Sequence, residues 1–368
     1  MISSIHILPN CGFSSGGPSR SVPNLIEALN NTGVTKNILL TAVSSDEELE
    51  HFSRSPNITP KLVNNFYSLI SFYFVIFCYI KKEVNSVVHI HSLFNLTTTF
   101  SILLCMFLSR PFVIQPRGML EPWSLKQSYK KKKLFIAMVG KAFFKNAKAV
   151  ICTSDQEMQN VKLLFPKSNY FVVPNIVKLN QNPDECLQSG FELHSKLPKT
   201  YVFFSRLHPK KNIEFLIEIF SDPNMSECKL HVYGYIDGKY AEDLVSRFSL
   251  HDNITYCGVL ENSNLHKIQK YQALLFPSFS ENFGMVILEA LSFNLPVVLN
   301  RDLPWSTFEH EEAVCCLNLV RSDWVKKISG GFPDEITHTD IKLSSKRVCD
   351  YFAADKISET LMDVYLEP

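Results

Sequence analysis

The feature that most constrains the fold is an alternation of short apolar stretches with helix-like stretches along the chain. In the first half, strands are predicted near residues 4–8, 37–42, 87–91, 112–115, 148–153 and 170–173. The alternation then restarts, with strands predicted near residues 201–205, 229–233, 254–256, 273–276 and 297–299. Such alternation is typical of parallel sheets with helices on both faces. The chain is therefore predicted to be an α/β protein with two doubly wound domains.

Length and composition agree with two domains that each bury a core. The chain has 368 residues, of which 46% are hydrophobic and 20% charged. This composition excludes an intrinsically disordered chain and a small disulfide scaffold. Residues 177–200 are polar, contain two prolines and lack an apolar period, so a domain boundary is predicted there.

The charge is distributed unevenly between the two halves. Residues 1–180 carry a net charge of +10 and residues 181–368 a net charge of −9, although the whole chain has a net charge of +1. Only one half is therefore expected to meet an anionic surface or substrate. The ten cysteines form no Cys-x-x-Cys pair, which favours buried thiols in a reducing compartment. The first residues lack the pattern of a signal peptide.

Two apolar runs raise the question of a membrane span. The run at residues 66–80 has 15 residues, fewer than the roughly 20 that cross a bilayer. The run at residues 93–108 is interrupted by Asn95 and three threonines. We interpret both as buried helices of the α/β domain, with a membrane span as the less favoured alternative.

Residues 277–290, Pro-Ser-Phe-Ser-Glu-Asn-Phe-Gly-Met-Val-Ile-Leu-Glu-Ala, are the most informative stretch. A strand is predicted to end at Phe276 and a helix to begin near Phe283, with Ser280, Glu281 and Asn282 as capping candidates. The free N–H groups of a helix N-terminus bind phosphates. Gly284 would allow a ligand to approach the backbone. Glu281 and Glu289 would lie about 12 Å apart along such a helix. Ordinary helix glutamates remain the alternative.

A second strand-to-helix turn carries fixed cations. Arg206 follows the predicted strand directly, and Lys211 stands before the next predicted helix. Two cations at such a turn can neutralise a diphosphate and stabilise it as it departs. Lys210 is more simply explained as a solvated loop lysine.

These stretches, in this order, resemble the retaining nucleotide-sugar glycosyltransferases of family 4, which have the GT-B fold. The spacing of Glu281 and Glu289, and the upstream pair Arg206 and Lys211, carry the resemblance. Gly16-Gly17-Pro18 resembles the glycine loop of that family. Residues 115–123 resemble a segment of its bacterial surface-polysaccharide branch, and residues 173–175 a strand end near the interdomain linker.

The resemblance implies an architecture of two Rossmann-like domains that face a central cleft and close over the donor. Residues 1–176 would form the acceptor-side domain, with a C-terminal helix at about 352–368 packing back on it. Residues 177–351 would bind the nucleotide sugar.

The resemblance also implies residue roles. Glu289 would bind the ribose, while Glu281, Asn282, Phe283 and Gly284 would hold the sugar and phosphates. Arg206 and Lys211 would stabilise the leaving diphosphate. Gly16 and Gly17 would approach the donor phosphates. Arg117 stands where many family members have histidine, and it is always cationic. Arg117 and His91 are therefore candidate contacts to the acceptor or the transferred sugar, with a structural role an equal alternative for His91.

The expected reaction is retaining glycosyl transfer to a glycan or polyprenyl-linked acceptor, as in O-antigen, capsule or exopolysaccharide synthesis. No Asp-x-Asp motif is present, so no metal or other cofactor is expected. Eight lysines between residues 126 and 148 lie among aromatic residues with no acid between Glu121 and Asp155. These lysines predict docking on an anionic membrane, at the inner face of the cytoplasmic membrane.

Other functions would fit parts of the sequence. A GT-B nucleotide-sugar epimerase is the first alternative. A nucleic-acid-binding protein would use the lysines but leave the two glutamates unexplained, so no nucleic-acid partner is expected. A dehydrogenase is disfavoured because Gly-x-Gly-x-x-Gly is absent after the first strand.

Overall fold

The computed structural model describes residues 2–12, 16–33, 35–179, 197, 199–331 and 337–367. Its contacts divide the chain into two compact units. Unit 1 comprises Met1–Val177 and Phe352–Pro368, and unit 2 comprises Lys178–Tyr351. Most of the predicted boundary segment, residues 180–196 and 198, lies outside the described residues.

Unit 1 is built on a seven-stranded parallel sheet with the order β3-β2-β1-β4-β5-β6-β7. Its strands are β1 Ile2–Leu8, β2 Thr35–Val43, β3 Ile58–Leu62, β4 Ser86–His91, β5 Phe112–Gln115, β6 Ala149–Cys152 and β7 Tyr170–Val172. Its helices are α1 Gly17–Asn31, α2 Asp46–Ser53, α3 Phe66–Lys82, α4 Leu96–Phe107, α5 Pro122–Lys126, α6 Tyr129–Phe135, α7 Lys141–Asn146 and α8 Asp155–Leu164. A π-helical segment, Ile136–Gly140, joins α6 to α7.

Unit 2 is built on a six-stranded parallel sheet with the order β10-β9-β8-β11-β12-β13. Its strands are β8 Thr200–Phe204, β9 Lys229–Tyr233, β10 Ile254–Tyr256, β11 Leu274–Phe276, β12 Val297–Asn300 and β13 Val314–Leu317. Its α-helices are α9 Ile213–Phe220, α10 Lys239–Phe248, α11 Met285–Ser292, α12 Arg321–Gly330 and α13 His338–Tyr351. Short 3-10 helices span Pro209–Lys211, Pro223–Met225, Asn262–Lys270 and Pro304–Phe308.

A last helix, α14 Ala354–Leu366, belongs to unit 1 and packs against α1. The prediction of two doubly wound α/β domains is confirmed. Phe352 and Ala353 separate α13 from α14.

The two faces of the unit 1 sheet differ in chemistry, because side chains alternate along a strand. Ile5, Ile7, Val88 and Ile90 belong to a large apolar cluster that includes residues of α3, α4 and α7. Ser4, His6, His89 and His91 lie on the opposite face, also buried. Tyr365 of α14 lies on the same side of the sheet, where it forms hydrogen bonds with His89 and His6.

The two apolar runs form helices, but the prediction that these helices are buried is only half right. In α3 the buried face is Phe72, Ile76 and Ile80, while its opposite face is exposed. In α4, Leu96, Leu103 and Phe107 are exposed. No helix among the described residues is long and apolar enough to cross a bilayer.

Candidate active site

The candidate site of unit 2 lies where its strand order reverses. β8 and β11 are neighbours in the middle of the sheet, and the chain proceeds outward from them in opposite directions. Ligands of doubly wound sheets bind beyond the carboxyl ends of strands at such a switch point. The loop with Arg206 and Lys211 follows β8, and the loop with Glu281 follows β11.

Lys211 and Glu281 form a buried ion pair at this position. Lys211 Nζ donates to Glu281 Oε1 at 2.6 Å, with side chains 11% and 9% exposed. The Lys211 ammonium also lies 4.8 Å from the centre of the Phe276 ring at the end of β11. Two residues that are 70 positions apart are thereby joined across the loops that follow adjacent strands.

The pair controls the charge of Glu281. Burial alone would raise the pKa of this carboxyl, because it disfavours the charged form. The charges of Lys211 and Lys210, with hydrogen bonds from Lys211 and Ser278, outweigh burial and hold the pKa of Glu281 below its ordinary value. Glu281 is therefore a carboxylate at neutral pH and cannot act there as a proton donor.

A set of polar contacts that sequence analysis missed fixes the two loops to each other. Ser278 Oγ lies 2.7 Å from Glu281 Oε1. Asn212 Nδ2 donates to the Pro277 carbonyl, and Asn300 Nδ2 donates to the Ser278 carbonyl. The only sequence signal for them was the position of each polar residue just after a strand or just before a helix.

The helix after Glu281 begins two residues later than predicted. α11 starts at Met285 and its N-cap is Gly284, with no side-chain capping bond. The prediction that Ser280, Glu281 or Asn282 caps this helix was therefore wrong. Gly284 has φ +81°, a left-handed conformation that side chains disfavour. A Cβ there would also lie 2.9 Å from Ile287 Cδ1.

The remaining predicted residues of unit 2 occupy different environments. Arg206 is exposed just past β8, and Asn282 is half-buried beside Glu281. Phe283 is buried, and its carbonyl accepts a hydrogen bond from Trp305 Nε1. Glu289 is 3% exposed within α11. Arg206 is thus the accessible cation of the site, whereas Lys211 is held inside by Glu281.

His208 lies among the cations and was not predicted. Its Nδ1 accepts a hydrogen bond from the Lys210 N–H at 3.1 Å. Burial and the charges of Arg206, Lys211 and Lys210 lower the pKa of His208. The ring is therefore neutral at pH 7, in a position where the neighbouring charges are positive and would attract an anion.

In unit 1 the predicted residues also follow neighbouring strands. Gly16 is the N-cap of α1 with φ +83°, and Gly17 is the first residue of that helix. Residues 13–15 of this loop lie outside the described residues. His91 ends β4, and Arg117 follows β5.

Arg117 and His91 are buried and bonded to each other. Arg117 Nε donates to His91 Nδ1 at 3.1 Å, and Arg117 Nη1 donates to Ser21 Oγ and Asn175 Oδ1, both at 2.9 Å. Burial lowers the pKa of Arg117 to about 10. Arg117 is still cationic at pH 7, and it joins β4, α1 and the segment after β7.

A chain of hydrogen bonds continues from Arg117 into the sheet. His91 Nδ1 lies 3.1 Å from Arg117 Nε and 3.0 Å from Gln115 Oε1, and His91 Nε2 lies 3.0 Å from His6 Nδ1. His6 Nε2 then donates to Ser4 Oγ at 2.7 Å, and Ser4 donates to Asn37. Burial lowers the pKa of His6 to about 3 and holds those of His89 and His91 well below their usual value.

His6, His89 and His91 are also the residues, within the described part of the chain, whose ligand atoms lie close enough to hold a metal ion. The rings of His6 and His91 already use both nitrogens in hydrogen bonds. The Arg117 charge would repel a cation. The geometry therefore favours a neutral hydrogen-bonded network at this position.

Glu157 anchors the loop that carries Arg117. Its carboxylate accepts hydrogen bonds from the Gly118 N–H at 2.6 Å and the Thr153 N–H at 2.7 Å. Arg117 and Gly118 both have positive φ, at +53° and +76°, so this turn needs external support. Sequence analysis did not identify Glu157 as a site residue.

Two family models match the chain. The model for glycosyltransferase family 4 matches residues 15–181, and the model for glycosyl transferases group 1 matches residues 188–307. Together they cover most of the chain, one in each half. The chain belongs to the family-4 type of GT-B glycosyltransferases. The resemblance stated from the sequence is thereby confirmed at the level of the family.

The relatives of this glycosyltransferase are distant. An uncharacterised glycosyltransferase of Methanocaldococcus jannaschii is 26% identical over 185 residues, which are 45% of this chain and 44% of the relative. The chain thus matches less than half the length of that relative. An uncharacterised 41.2 kDa protein in the cps region of Klebsiella pneumoniae is 23% identical over 362 residues, 94% of each chain.

Solved structures of GT-B glycosyltransferases share the fold over nearly the whole chain. Sucrose-phosphate synthase from Thermosynechococcus elongatus has a TM-score of 0.76 at 18% identity, covering 99% of this chain and 98% of the other. The Anabaena protein HepE, solved with UDP and glucose, has a TM-score of 0.72 at 15% identity and covers 99% of both chains.

Proposed function

We propose that this glycosyltransferase transfers a sugar, with retention of anomeric configuration, from a nucleoside-diphosphate donor to a glycan or polyprenyl-linked acceptor in surface polysaccharide synthesis. The observation that carries the proposal is the Lys211–Glu281 pair at the switch point of unit 2, with Arg206 exposed in the same segment after β8 as Lys211. The bound UDP and glucose of HepE support the donor class. The cps-region relative of full length supports the pathway.

The chemistry follows from these charges. The acceptor hydroxyl oxygen forms a bond to the anomeric carbon as the bond from that carbon to the diphosphate oxygen breaks. The hydroxyl proton passes to the departing diphosphate. Arg206 and Lys211 would stabilise the charge that develops on the diphosphate, and such preorganised groups contribute about 3 kcal/mol each. No metal ion is assigned a step.

Glu281 would act through Lys211 in this scheme. Its carboxylate holds the ammonium in one place. Asn282, Phe283 and Gly284 would present backbone to the donor at the start of α11, and Glu289 would bind the ribose. In unit 1, Gly16 and Gly17 at the start of α1 would bind donor phosphates, and Arg117 and His91 would lie near the acceptor or the transferred sugar.

Docking on the inner face of the cytoplasmic membrane is part of the proposal. Lys126, Lys130, Lys131, Lys133, Lys141 and Lys145 are exposed. Lys132 and Lys148 instead form hydrogen bonds within the protein, to the Ser124 and Tyr365 carbonyls. The six exposed lysines would contribute about 1 kcal/mol each near an anionic leaflet.

The deciding experiment is a thermal-shift panel of UDP-, GDP-, ADP- and dTDP-sugars, followed by turnover with the sugar that binds. A donor bound only by the folded protein raises the melting temperature. Arg206→Ala is expected to lower kcat/KM at least a hundredfold, and NMR of the product should show retention. Unchanged kcat/KM in Arg206→Ala and Glu281→Ala would refute the assignment. An epimerised nucleotide sugar formed without acceptor would favour the epimerase instead.

A further inference from the structure

The helices α3 and α4 carry exposed apolar side chains on their outer faces. The exposed residues of α3 are Phe66, Tyr67, Ile70 and Phe74, which fall on one stripe of the helix opposite its buried face. Those of α4 are Leu96, Leu103 and Phe107, again on one stripe, and Phe107 is 84% exposed. Soluble proteins rarely leave such large side chains together in water.

The stripes belong to one surface, which we call the apolar face. α3, α4 and α7 cover the same side of the unit 1 sheet. Tyr73 of α3 stacks on Phe100 of α4 at 4.7 Å between ring centres, and Phe94, just before α4, packs on Phe135 of α6. Tyr129 and Leu134 of α6, and Met138 in the π-helical segment that follows, are also exposed. More than half of the exposed large apolar residues among those described lie between residues 66 and 138.

The charges around the apolar face are almost all positive. The carboxylates between His51 and Ser154 are those of Glu83 and Glu121 alone. Glu121 is buried and accepts a hydrogen bond from Asn160. α6 and α7 carry exposed lysines, and the exposed Lys81 and Lys82 end α3. A second copy of the chain docked here would bring lysine against lysine, which is unfavourable.

We propose that the apolar face inserts into the acyl-chain boundary of an anionic lipid membrane, with the lysines around it on the headgroups. The proposal rests on the proposed function for the presence of a membrane, and it goes further by assigning α3 and α4 as the inserted elements. Amphipathic surfaces of this composition lie in the plane of the interface. Binding then has two parts: the lysines attract the leaflet, and the apolar side chains retain the protein when salt screens that attraction.

The test uses the full chain with vesicles of phosphatidylglycerol and phosphatidylcholine at low and high salt. The variant Phe74→Ser/Leu103→Ser/Phe107→Ser is expected to lose vesicle binding at high salt by more than tenfold. A matched control, Leu250→Ser/Val320→Ser/Leu343→Ser, changes three exposed apolar residues of unit 2 and should bind like the parent protein. In a third variant, Phe107→Trp, brominated acyl chains should quench the new tryptophan, and the control Leu250→Trp should show no such quenching.

Each outcome is decisive. Loss of binding in the triple variant and quenching of Phe107→Trp, with donor-induced thermal shifts unchanged, support insertion. Vesicle binding that survives in the triple variant but is lost in Lys130→Gln/Lys131→Gln/Lys133→Gln refutes insertion and leaves the lysine docking of the proposed function standing. Concentration-dependent dimers that the triple variant abolishes, without any change in vesicle binding, would assign the face to a second copy. Absent thermal shifts with intact insertion would refute the proposed function alone.

Discussion

At the scale of single residues, Lys211 and Glu281 depend on each other. Removing one member of a buried ion pair leaves an unpaired charge that the protein interior does not solvate, and this costs more than the pair itself contributes. Substitutions at this pair therefore change stability and activity by different mechanisms, which can be separated.

Lys211→Met is expected to lower stability by about 3 kcal/mol, because Glu281 is left charged and buried. It should also lower kcat/KM at least a hundredfold if Lys211 stabilises the diphosphate. Denaturant unfolding and steady-state kinetics measure the two effects.

Two variants control for this result. Lys210→Met removes the neighbouring half-buried lysine and should change both quantities far less. The double variant Lys211→Met/Glu281→Gln should recover most of the stability and none of the activity. Recovery of activity in the double variant would contradict a role for the Lys211 charge in the reaction.

Gly284 permits a second comparison. Gly284→Ala places a Cβ 2.9 Å from Ile287 Cδ1 at φ +81°, whereas Gly258→Ala has nearly the same φ, +79°, with open space around it. Each should lose about 1–2 kcal/mol from the left-handed backbone alone. Only Gly284→Ala is expected to lose more stability than that. It should also weaken donor binding, which the thermal shift with the donor would measure. Equal losses would mean that the α11 start tolerates the added methyl group.

At the scale of elements, the sheet of unit 1 has a buried apolar cluster on one side and buried histidines on the other. The pKa of His6 is lowered to about 3, and those of His89 and His91 are also lowered, so the unfolded chain binds more protons than the folded one below pH 6.5. Stability therefore rises with pH through this window and is lost as pH falls. Each histidine contributes up to about 1.4 kcal/mol per pH unit.

The expected result is a loss of amide protection in β1 and β4 as pH falls from 7 to 4. Hydrogen exchange at several pH values, corrected for the intrinsic rate, measures it. The slope of the opening free energy against pH gives the number of protons taken up on opening. His6→Gln should reduce that number by about one. Ser4→Ala should destabilise β1 without changing the slope. An unchanged slope in His6→Gln would contradict the assignment of this proton uptake to the buried histidine.

The sequence predicted strands most reliably where apolar runs were short. β5, β9 and β10 have the predicted boundaries. β3 was missed because it contains Pro60, yet proline is tolerated in this edge strand. The exposed stripe of α3 was missed because nearly every position of that helix is apolar, so no polar face marked the solvent side. The stripe of α4 was missed because its polar residues Thr97, Thr98 and Ser101 are buried.

The candidate site was predictable in part. Strand-to-helix turns revealed Arg206, Lys211 and Glu281, because the residues that follow adjacent parallel strands meet at one edge. The ion pair between Lys211 and Glu281, the histidine network and the support from Ser278 and Glu157 depend on side-chain packing between distant segments. A single sequence without that packing does not specify these contacts.

At the scale of the whole molecule, unit 1 is assembled from two stretches separated by all of unit 2. Leu361 of α14 is fully buried in unit 1, and Tyr365 bonds to His89 at 2.6 Å. α14 therefore contributes to the core of unit 1, although the other stretch of that unit ends at Val177.

Leu361→Ala is expected to cost about 2–5 kcal/mol, because it leaves a cavity in a packed core. The loss should appear in hydrogen exchange of β4 and not in that of β11. Leu366→Ala changes an exposed leucine of the same helix and should have little effect. Equal losses in both sheets would contradict the assignment of α14 to unit 1.

This interrupted arrangement has a genetic consequence. Because Lys178–Tyr351 is one uninterrupted stretch, a recombination event with two crossovers, one at each junction, could replace the entire stretch while preserving both pieces of the host. Chimeras made at these junctions would inherit α3 and α4 from one parent and the Lys211–Glu281 pair from the other.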